Sequence, residues 1–377
     1  MRTFGINFDT GFTSAGTTTR EPFDPAVVRR EMEIIREELR CDAVRVTGGD
    51  RDRLETAARL AAEAGLAVWY CPFTNALTQD ELLDLLTDSA ARAEKLRRDG
   101  AEVVFFTGSE ISLFTDGFLP GDTTADRVAV LSDPQRLRAA LPALSNRINA
   151  FLGAAVTAVR AEFGGRVGYA SLPFEGVDWT PFDLVASDAG YRDARNAGQL
   201  ADGLRALTSH GKPAAVTEFG CAPFRGGAAI ASRADGVVEW DERARPARFT
   251  RPVIRDEREQ ADYVRELLGL FENSGIEAAF VYTFARYDLP DAGTAGAGAD
   301  DRGRDLDFDR DRDLDFDLDR DLDFDRDFDK ASFGVVRVLT DGRTGTAFPG
   351  LPWEPKAAFH ALAEYGRGRT EPPPSAH

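Results

Sequence analysis

The chain has 377 residues, of which 43% are hydrophobic, so it is long enough to bury a large core in one barrel or in two ordinary domains. Its 64 acidic residues exceed its 46 basic residues and give a formal net charge of -18, which opposes long contacts with phosphate backbones or anionic membrane surfaces. Nucleic acids and membranes are therefore not expected as partners.

Strand-like and helix-like segments alternate along the chain. Short runs of β-branched and aromatic residues are separated by longer amphipathic segments, which is the pattern of a parallel sheet wrapped by helices. Eight strands are predicted, at residues 4–8, 42–47, 66–71, 102–107, 167–171, 184–187, 214–218 and 278–283. Helices are predicted at about residues 25–40, 51–64, 79–99, 134–163, 193–210, 256–274 and 356–364. The interval between the fifth and sixth strands is too short for an ordinary helix.

Eight strand and helix units in a chain of this length predict a single α/β domain over residues 1–377, folded as a (β/α)8 (TIM) barrel. The active site of such a barrel lies at the carboxyl ends of its strands. A doubly wound open sheet is the alternative fold, but no Gly-x-Gly-x-x-Gly sequence follows the first strand to support nucleotide binding.

Residues 291–330 interrupt this pattern. The segment becomes rich in Gly and Ala and then repeats Arg, Asp, Leu and Phe, with aspartate at almost every second position. So much aspartate with few β-branched residues predicts a disordered acidic insertion after the eighth strand. Calcium binding is a less favoured interpretation, because the segment lacks the glycine and terminal glutamate of an EF-hand loop. Residues 366–377 are predicted to form a flexible tail.

Cysteine and histidine are scarce. The cysteines, Cys41, Cys71 and Cys221, are widely spaced and form no Cys-x-x-Cys pair, which indicates reduced thiols and argues against a structural zinc site. The histidines are terminal or lie in helix-like segments, which argues against serine-histidine triads and histidine-bound metals. We therefore expect carboxylate chemistry, with no metal and no organic cofactor.

The start of the chain bears on its location. Residues 1–9 lack the basic segment and the long apolar run of a secretion signal. No other stretch approaches the roughly 18 apolar residues of a membrane-spanning helix. The sequence therefore predicts a soluble cytoplasmic protein, and it leaves the oligomeric state open.

Two glutamates stand just beyond predicted strands. Glu110 ends the run Phe105-Phe106-Thr107-Gly108-Ser109-Glu110, and Glu218 ends Ala215-Val216-Thr217-Glu218. At the barrel mouth, low polarity and mutual repulsion can separate the pKa values of two carboxyl groups. Glycoside cleavage needs that separation, with one carboxyl protonated to donate to the leaving oxygen and the other ionised to attack the anomeric carbon. A single glutamate there would more often cap a helix or pair with an arginine, but two at the fourth and seventh strands favour catalysis.

At this point the chain resembles glycoside hydrolase clan A, whose acid/base glutamate follows the fourth strand and whose nucleophile follows the seventh. Thr217-Glu218-Phe219-Gly220 is similar to the nucleophile motif of that clan, and Pro355-Lys356-Ala357-Ala358-Phe359 is similar to its final-helix motif. The resemblance implies that Arg45 lies beside the nucleophile and keeps it ionised. It also implies that Tyr191 donates a hydrogen bond to the nucleophile.

The sequence departs from the clan at two places. The clan has an asparagine before the acid/base glutamate, where it binds the sugar 2-hydroxyl, and this chain has Ser109. The eighth strand of the clan ends with a tryptophan platform for the sugar, for which this chain offers Tyr282 or Phe284. Both departures imply weakened turnover on ordinary sugars. The segment 117–121 also resembles a group of bacterial barrels labelled abortive-infection proteins.

Several further polar and aromatic residues follow predicted strands. We consider them substrate-binding candidates at the mouth, although packing or helix capping is an equally good interpretation for each. Together with Tyr282 and Phe284, they are Asn7, Asp9, Glu175, Trp179, Asp188 and Arg286.

Three functional hypotheses follow. The first is a retaining glycosidase that cleaves an O-glycosidic bond with Glu218 as nucleophile and Glu110 as acid/base, acting on a carbohydrate or glycoside. The second is a catalytically weak or inactive barrel that binds sugars or regulates, with phage defence as one role. The third is a lyase or isomerase with a carboxylate-bound divalent metal, which the lack of strand-end histidines disfavours.

Overall fold

Eight parallel strands close into a barrel in the computed structural model, which describes residues 1–14, 16–293 and 326–370. The strands are β1 (Thr3–Asp9), β2 (Ala43–Gly48), β3 (Ala67–Pro72), β4 (Val103–Ser109), β5 (Arg166–Ser171), β6 (Val185–Ser187), β7 (Ala214–Phe219) and β8 (Ala278–Val281). Around the barrel their order is β1-β8-β7-β6-β5-β4-β3-β2, with β1 hydrogen-bonded to both β2 and β8. The predicted (β/α)8 fold is confirmed.

Helices follow most of the strands. They are α1 (Pro25–Glu37), α2 (Arg51–Glu63), α3 (Gln79–Arg98), α4 (Ile111–Phe114), α5 (Thr124–Ser132), α6 (Pro134–Glu162), α7 (Leu200–Thr208), α8 (Gly227–Ile230), α9 (Glu257–Glu272) and α10 (Ala357–Thr370). Helix α5 is absent from the sequence prediction, although Thr123 and Asp126 form a capping box at its start. Helix α7 starts at Leu200 and not at residue 193, because Asp193 and Asn196 form side-chain turns with the backbone instead.

Between β5 and β6 the helix layer is reduced to one 3-10 turn, Pro173–Glu175. The sequence predicted that this interval is too short for a helix, and the structure confirms it. The long helix α6 packs mainly on α3 and also reaches this turn.

Bulky side chains fill the barrel interior. Trp69 stacks on Phe106 with ring centroids 5.2 Å apart and lies 4.5 Å from Phe280. Space for these rings comes from glycine on a neighbouring strand, since a Cβ atom at Gly5 would lie 2.4 Å from the Phe280 ring. A second, larger apolar layer lies between the strands and the helices. The interior is therefore closed below the mouth, and only the strand ends are open to a ligand.

The ends of the segment 291–330 are ordered, which corrects the predicted limits of the disordered insertion. Asp291 forms backbone bridges with Asp327 and Leu339, and a 3-10 helix runs from Phe328 to Ala331. Asp329 is fully buried in ion pairs with Lys356 and Arg255, which hold this end against the barrel. The rest of the predicted insertion, 294–325, lies outside the described residues.

The predicted flexible tail is also corrected at its start. Helix α10 continues through residue 370, and Arg369 donates hydrogen bonds to the carbonyl oxygens of Met1 and Arg2 and to Asp42. Residues 371–377 lie outside the described residues.

Two observations concern the predicted cellular setting. The cysteines Cys41, Cys71 and Cys221 are buried free thiols, as predicted. Among the described residues, no helix combines the length and the apolar character needed to cross a membrane.

Candidate active site

Glu110 begins the short helix α4 directly after β4. Its backbone is left-handed, with φ of 46°, an uncommon conformation for a residue with a side chain. The backbone N–H of Glu110 donates to the carbonyl of Ala170, and its own carbonyl accepts from Leu113 and Phe114. No donor among the described residues hydrogen-bonds the Glu110 carboxyl, and the charge of Arg45 favours its ionised form without such a bond.

Glu218 has the opposite environment. It lies in β7 with 14% of its side chain exposed. Arg45 on β2 donates from Nη1 to Oε1 of Glu218 at 2.8 Å, and the Tyr191 hydroxyl donates to Oε2 at 3.2 Å. Hydrogen bonds from a buried guanidinium and a hydroxyl favour the carboxylate form of Glu218.

Gly190 allows Tyr191 to approach Glu218. The N–H of Gly190 donates to the carbonyl of Glu218 at 3.1 Å. A Cβ atom at this position would lie 2.2 Å from Val216 and 2.5 Å from that carbonyl, so only glycine fits against β7 here. Sequence analysis singled out Tyr191 but missed the glycine before it, whose only signal is its place between a predicted strand end and that tyrosine.

Arg45 is the centre of a buried polar network. Its side chain is fully buried, and Nη1 contacts Oδ1 of Asn7 at 3.0 Å, Oδ1 of Asp188 at 3.3 Å and the Glu218 carboxylate. Nη2 lies 3.4 Å from Sγ of Cys71, a contact that the sequence did not indicate. Asn7 also donates to the carbonyls of Thr217 and Val281, so all of its polar groups are occupied within the barrel. Asn7 therefore holds the arginine, and its predicted role in substrate binding stays a prediction.

Ser109 and Asp188 contact each other. The Ser109 hydroxyl donates to Oδ2 of Asp188 at 2.5 Å, and both side chains are buried. The hydroxyl proton of Ser109, the residue before Glu110, is therefore used within the chain. Asp188, a candidate for binding sugar hydroxyls, is instead enclosed between Ser109 and Arg45.

The two glutamates differ in their tendency to hold a proton. Burial raises the pKa of Glu110 well above its usual range, and repulsion from Asp188 and Glu218 adds to this effect. Burial and Asp188 also raise the pKa of Glu218, to about 8, while Arg45 and Tyr191 lower it. Arg45 and Tyr191 donate hydrogen bonds to Glu218 and not to Glu110, so when the pair holds one proton, that proton resides on Glu110. Burial likewise raises the pKa of Tyr191, which keeps its hydroxyl as a donor.

Glu175 supports the segment that follows Glu110. Its carboxylate accepts from the Tyr169 hydroxyl at 2.8 Å and from the backbone N–H groups of Leu172 and Ser112 at 3.0 and 3.2 Å. The Tyr169 hydroxyl in turn accepts from the N–H of Ile111 at 3.0 Å. Glu175 is fully buried, and burial raises its pKa to about 7. It therefore braces the loop after β4, and its predicted role in binding sugar hydroxyls stays a prediction.

Tyr282 follows β8 and lies beside Glu218, with which it interacts electrostatically. Its ring packs edge-to-face against Phe333 at 5.7 Å, and the Tyr191 ring packs edge-to-face against the same Phe333 at 6.2 Å. Phe333 comes from the chain after the acidic segment, and no sequence pattern connected it with the strand ends. These three rings form an aromatic edge next to Glu218.

Arg286 is a second charged group near Tyr282. Arg286 forms a two-pronged ion pair with Asp288, with distances of 2.7 and 2.6 Å. Asp9 interacts electrostatically with Asp288 and accepts hydrogen bonds from the N–H of Gly11 and the Thr19 hydroxyl. Asp9, Tyr282 and Arg286 are the substrate-binding candidates that the fold brings together.

Two aromatic candidates lie away from the mouth. Trp179 packs edge-to-face on Phe182 and lines a separate cavity of about 350 Å³ between the turn after β5 and helix α7. Phe284 is fully buried between Phe8 and Trp353. Both rings belong to the apolar layer between the strands and the helices, and their predicted contact with a sugar stays a prediction.

The described residues contain no group of three or more His, Cys, Asp and Glu side chains arranged to hold a metal ion.

The fold is similar to that of solved glycoside hydrolases. In a complex structure, a GH113 β-1,4-mannanase is 14% identical with a TM-score of 0.54, over 98% of this chain and 100% of the mannanase. The GH113 β-mannanase AaManA from Alicyclobacillus acidocaldarius, in complex with ManMIm, is 17% identical with a TM-score of 0.51, over 77% of this chain and 89% of that one. The GH2 β-galacturonidase from Eisenbergiella tayi, bound to galacturonate, is 13% identical with a TM-score of 0.51, over 98% of this chain and 51% of that one.

No protein family and no curated protein sequence matches the chain. At these low identities the likeness is one of fold alone, that of a (β/α)8 barrel. The abortive-infection interpretation gains no support, since all three proteins are described as glycoside hydrolases.

Proposed function

We propose that the chain is a retaining glycosidase in which Glu218 is the nucleophile and Glu110 is the acid/base. The observation that carries this proposal is the asymmetry of the two carboxyl groups. Glu218 receives hydrogen bonds from Arg45 and Tyr191, whereas none of the described residues donates to Glu110. The anion is stabilised where attack requires it, and the proton is retained where donation requires it.

The reaction takes two steps. An oxygen of Glu218 attacks the anomeric carbon and forms an ester bond, while the bond to the leaving oxygen breaks and that oxygen takes the proton of Glu110. In the second step Glu110 accepts a proton from water, the water oxygen attacks the anomeric carbon, and the ester bond breaks to release Glu218. This mechanism requires the two carboxyl groups to lie about 5 to 5.5 Å apart, and it uses no cofactor.

The charge around the mouth bears on the substrate. Arg45 and Arg286 are both already paired with carboxylates. The acidic groups near them, which include Asp9, Asp188 and Asp288, outnumber these two cations. In the part of the mouth that the structure describes, neither of these arginines is unpaired, so a sugar carboxylate would be repelled by the acidic groups. We therefore propose a neutral glycoside as substrate, with β-mannosides the first to test, because two of the similar structures are mannanases.

The proposal is tested by trapping the ester intermediate. The protein is incubated with a panel of 2,4-dinitrophenyl 2-deoxy-2-fluoroglycosides, followed by intact-mass and peptide mass spectrometry. We expect one sugar adduct on the peptide that carries Glu218. The adduct should be absent in Glu218→Gln and present in the matched control Glu239→Gln, a surface glutamate paired with Arg248.

The contact between Ser109 and Asp188 favours a second candidate, a barrel that binds sugars without appreciable turnover. In that case calorimetry would detect binding of a neutral sugar, while no panel member would leave an adduct on the folded protein. An adduct on a residue other than Glu218 would contradict both candidates.

A further inference from the structure

Asp188 is an acidic group that the proposed reaction does not use. It follows β6 directly, its N–H donates to the carbonyl of Ser171, and its side chain is fully buried. Oδ2 accepts the Ser109 hydroxyl at 2.5 Å. Oδ1 lies 3.3 Å from Nη1 of Arg45 and accepts no hydrogen bond from the described residues. The carboxyl group is thus incompletely satisfied in a buried place.

The position of Asp188 is unfavourable for stability alone. A buried carboxylate loses its hydration, and one guanidinium must here serve two carboxylates, Asp188 and Glu218. An apolar side chain of similar volume would fill the space without this penalty. A buried acid group that is not needed for packing indicates a role in the electrostatics of the neighbouring site.

The groups that face Asp188 come from almost every side of the mouth. They are Arg45 on β2, Cys71 on β3, Ser109 and Glu110 at the end of β4, Tyr191 after β6 and Glu218 on β7. Of these, Arg45 is the only cation. Together with burial, repulsion from Asp188 raises the pKa of both Glu110 and Glu218. Its negative charge therefore acts on both glutamates at once.

We propose that Asp188 is a positioning residue for the glutamate pair, which fixes Arg45 and Ser109 and, as a third acid group, opposes loss of the last proton from Glu110. This inference rests on the proposed function. In this arrangement the Ser109 hydroxyl does not bind the sugar. It donates to Asp188 instead and orients that carboxyl group. The proton needed by the leaving group is then retained at a pH where an ordinary glutamate has lost it.

The test measures protonation directly, so that it does not depend on turnover. Protein labelled with 13C at the glutamate carboxyl carbon is titrated by NMR, with Glu110→Gln and Glu218→Gln used to assign the two signals. We expect wild-type midpoints for both residues well above those of surface glutamates. In Asp188→Asn both midpoints should fall by about one pH unit or more. The control Asp193→Asn, an aspartate of the same loop that pairs with Arg233, should leave them unchanged.

Ser109→Ala separates the electrostatic role from a loosening of the structure. This variant keeps the carboxylate of Asp188 but removes the hydroxyl dipole that partly offsets its charge, so the midpoints should stay or rise. If the site merely opened to water, both variants would instead lower the midpoints. That result, or wild-type midpoints in the ordinary range, overturns the inference. If Asp188→Asn does not fold, Ser109→Ala is the remaining test. A fall of the glutamate midpoints in that variant then overturns the inference.

The pH dependence of activity on an aryl glycoside that the protein cleaves provides a second test. The alkaline limb of the kcat/KM profile should move to lower pH in Asp188→Asn by the same shift that NMR measures, while Asp193→Asn keeps the wild-type profile. An unchanged limb in a folded Asp188→Asn protein contradicts the inference. Failure of the proposed function is recognised differently, as an absence of any trapped adduct with the NMR midpoints still shifted.

Discussion

Nη1 of Arg45 lies 2.8 Å from Oε1 of Glu218 and joins β2 to β7 at the mouth of the barrel. The guanidinium is fully buried and is also the counter-ion of Asp188. Removing the Arg45 cation leaves the carboxylates of Asp188 and Glu218 close together without a counter-ion. The Arg45–Glu218 ion pair therefore controls both the activity and the stability of the site.

Replacing Arg45 by methionine tests this relationship. Loss of one partner of a buried charge pair costs about 3–5 kcal/mol, so we expect kcat/KM on an activated glycoside to fall at least about 100-fold. Thermal unfolding should also shift to lower temperature, most strongly at alkaline pH. Arg160→Met is the control, because Arg160 pairs with Asp183 at a position where both side chains are more than a third exposed. Equal effects of the two substitutions would contradict the assigned role.

The pH profile of activity follows from the two glutamates. Attack needs ionised Glu218, whose pKa is raised to about 8, and donation needs protonated Glu110, whose pKa is raised well above its usual range by burial and by repulsion from neighbouring carboxylates. The kcat/KM profile should therefore rise through about pH 8 and fall only at higher pH, giving an alkaline maximum. Initial rates across pH 4 to about 10.5 check this expectation. A maximum between about pH 4 and 6, with ordinary glutamate limbs, would be inconsistent with the burial and repulsion described above.

Stability should depend on Glu110 in the opposite direction to activity. In the unfolded chain Glu110 ionises near the ordinary glutamate pKa, whereas the folded protein keeps the proton to much higher pH. Its contribution is therefore fully present below the unfolded pKa and is lost as pH rises through the folded pKa. Glu110→Gln should raise the melting temperature by a few degrees at pH 8 and by little at pH 5, as calorimetry would measure. A variant that is less stable than wild type at pH 8 would refute this sign.

Gly190 should tolerate no side chain. Alanine there would place its Cβ against Val216 and the carbonyl of Glu218, which forces the Tyr191 loop away from β7. We expect Gly190→Ala to lose about 1–3 kcal/mol of stability from overpacking and to lower kcat more than it changes KM. The matched control is Gly203→Ala in helix α7, where no atom lies within 4 Å of the added Cβ. That change should be neutral or stabilising by up to about 1 kcal/mol, and chemical denaturation of both variants distinguishes them.

Substrate charge offers a further prediction. Arg45 and Arg286 are already paired with carboxylates. We therefore expect kcat/KM for neutral aryl glycosides to exceed kcat/KM for the corresponding uronides by at least about 100-fold. Asp288→Asn frees Arg286 from its bidentate ion pair. This substitution should lower the ratio of kcat/KM for neutral glycosides to kcat/KM for uronides. A wild-type protein that prefers uronides would show that the acidic residues do not face the substrate.

The sequence by itself determined the barrel, because alternating apolar strands and amphipathic helices are local patterns that survive in the closed structure. It also determined that Glu110 and Glu218 stand at strand ends, since each follows an apolar run directly. Only the tertiary structure decided which neighbours these residues have. Ser109 meets Asp188 across 79 positions of the chain, and Phe333 reaches Tyr191 from beyond the acidic segment. Trp179 and Glu175 also follow a strand, yet they turn into the packing outside the barrel, because the direction of a loop side chain depends on the elements that pack around it and not on its distance from the strand.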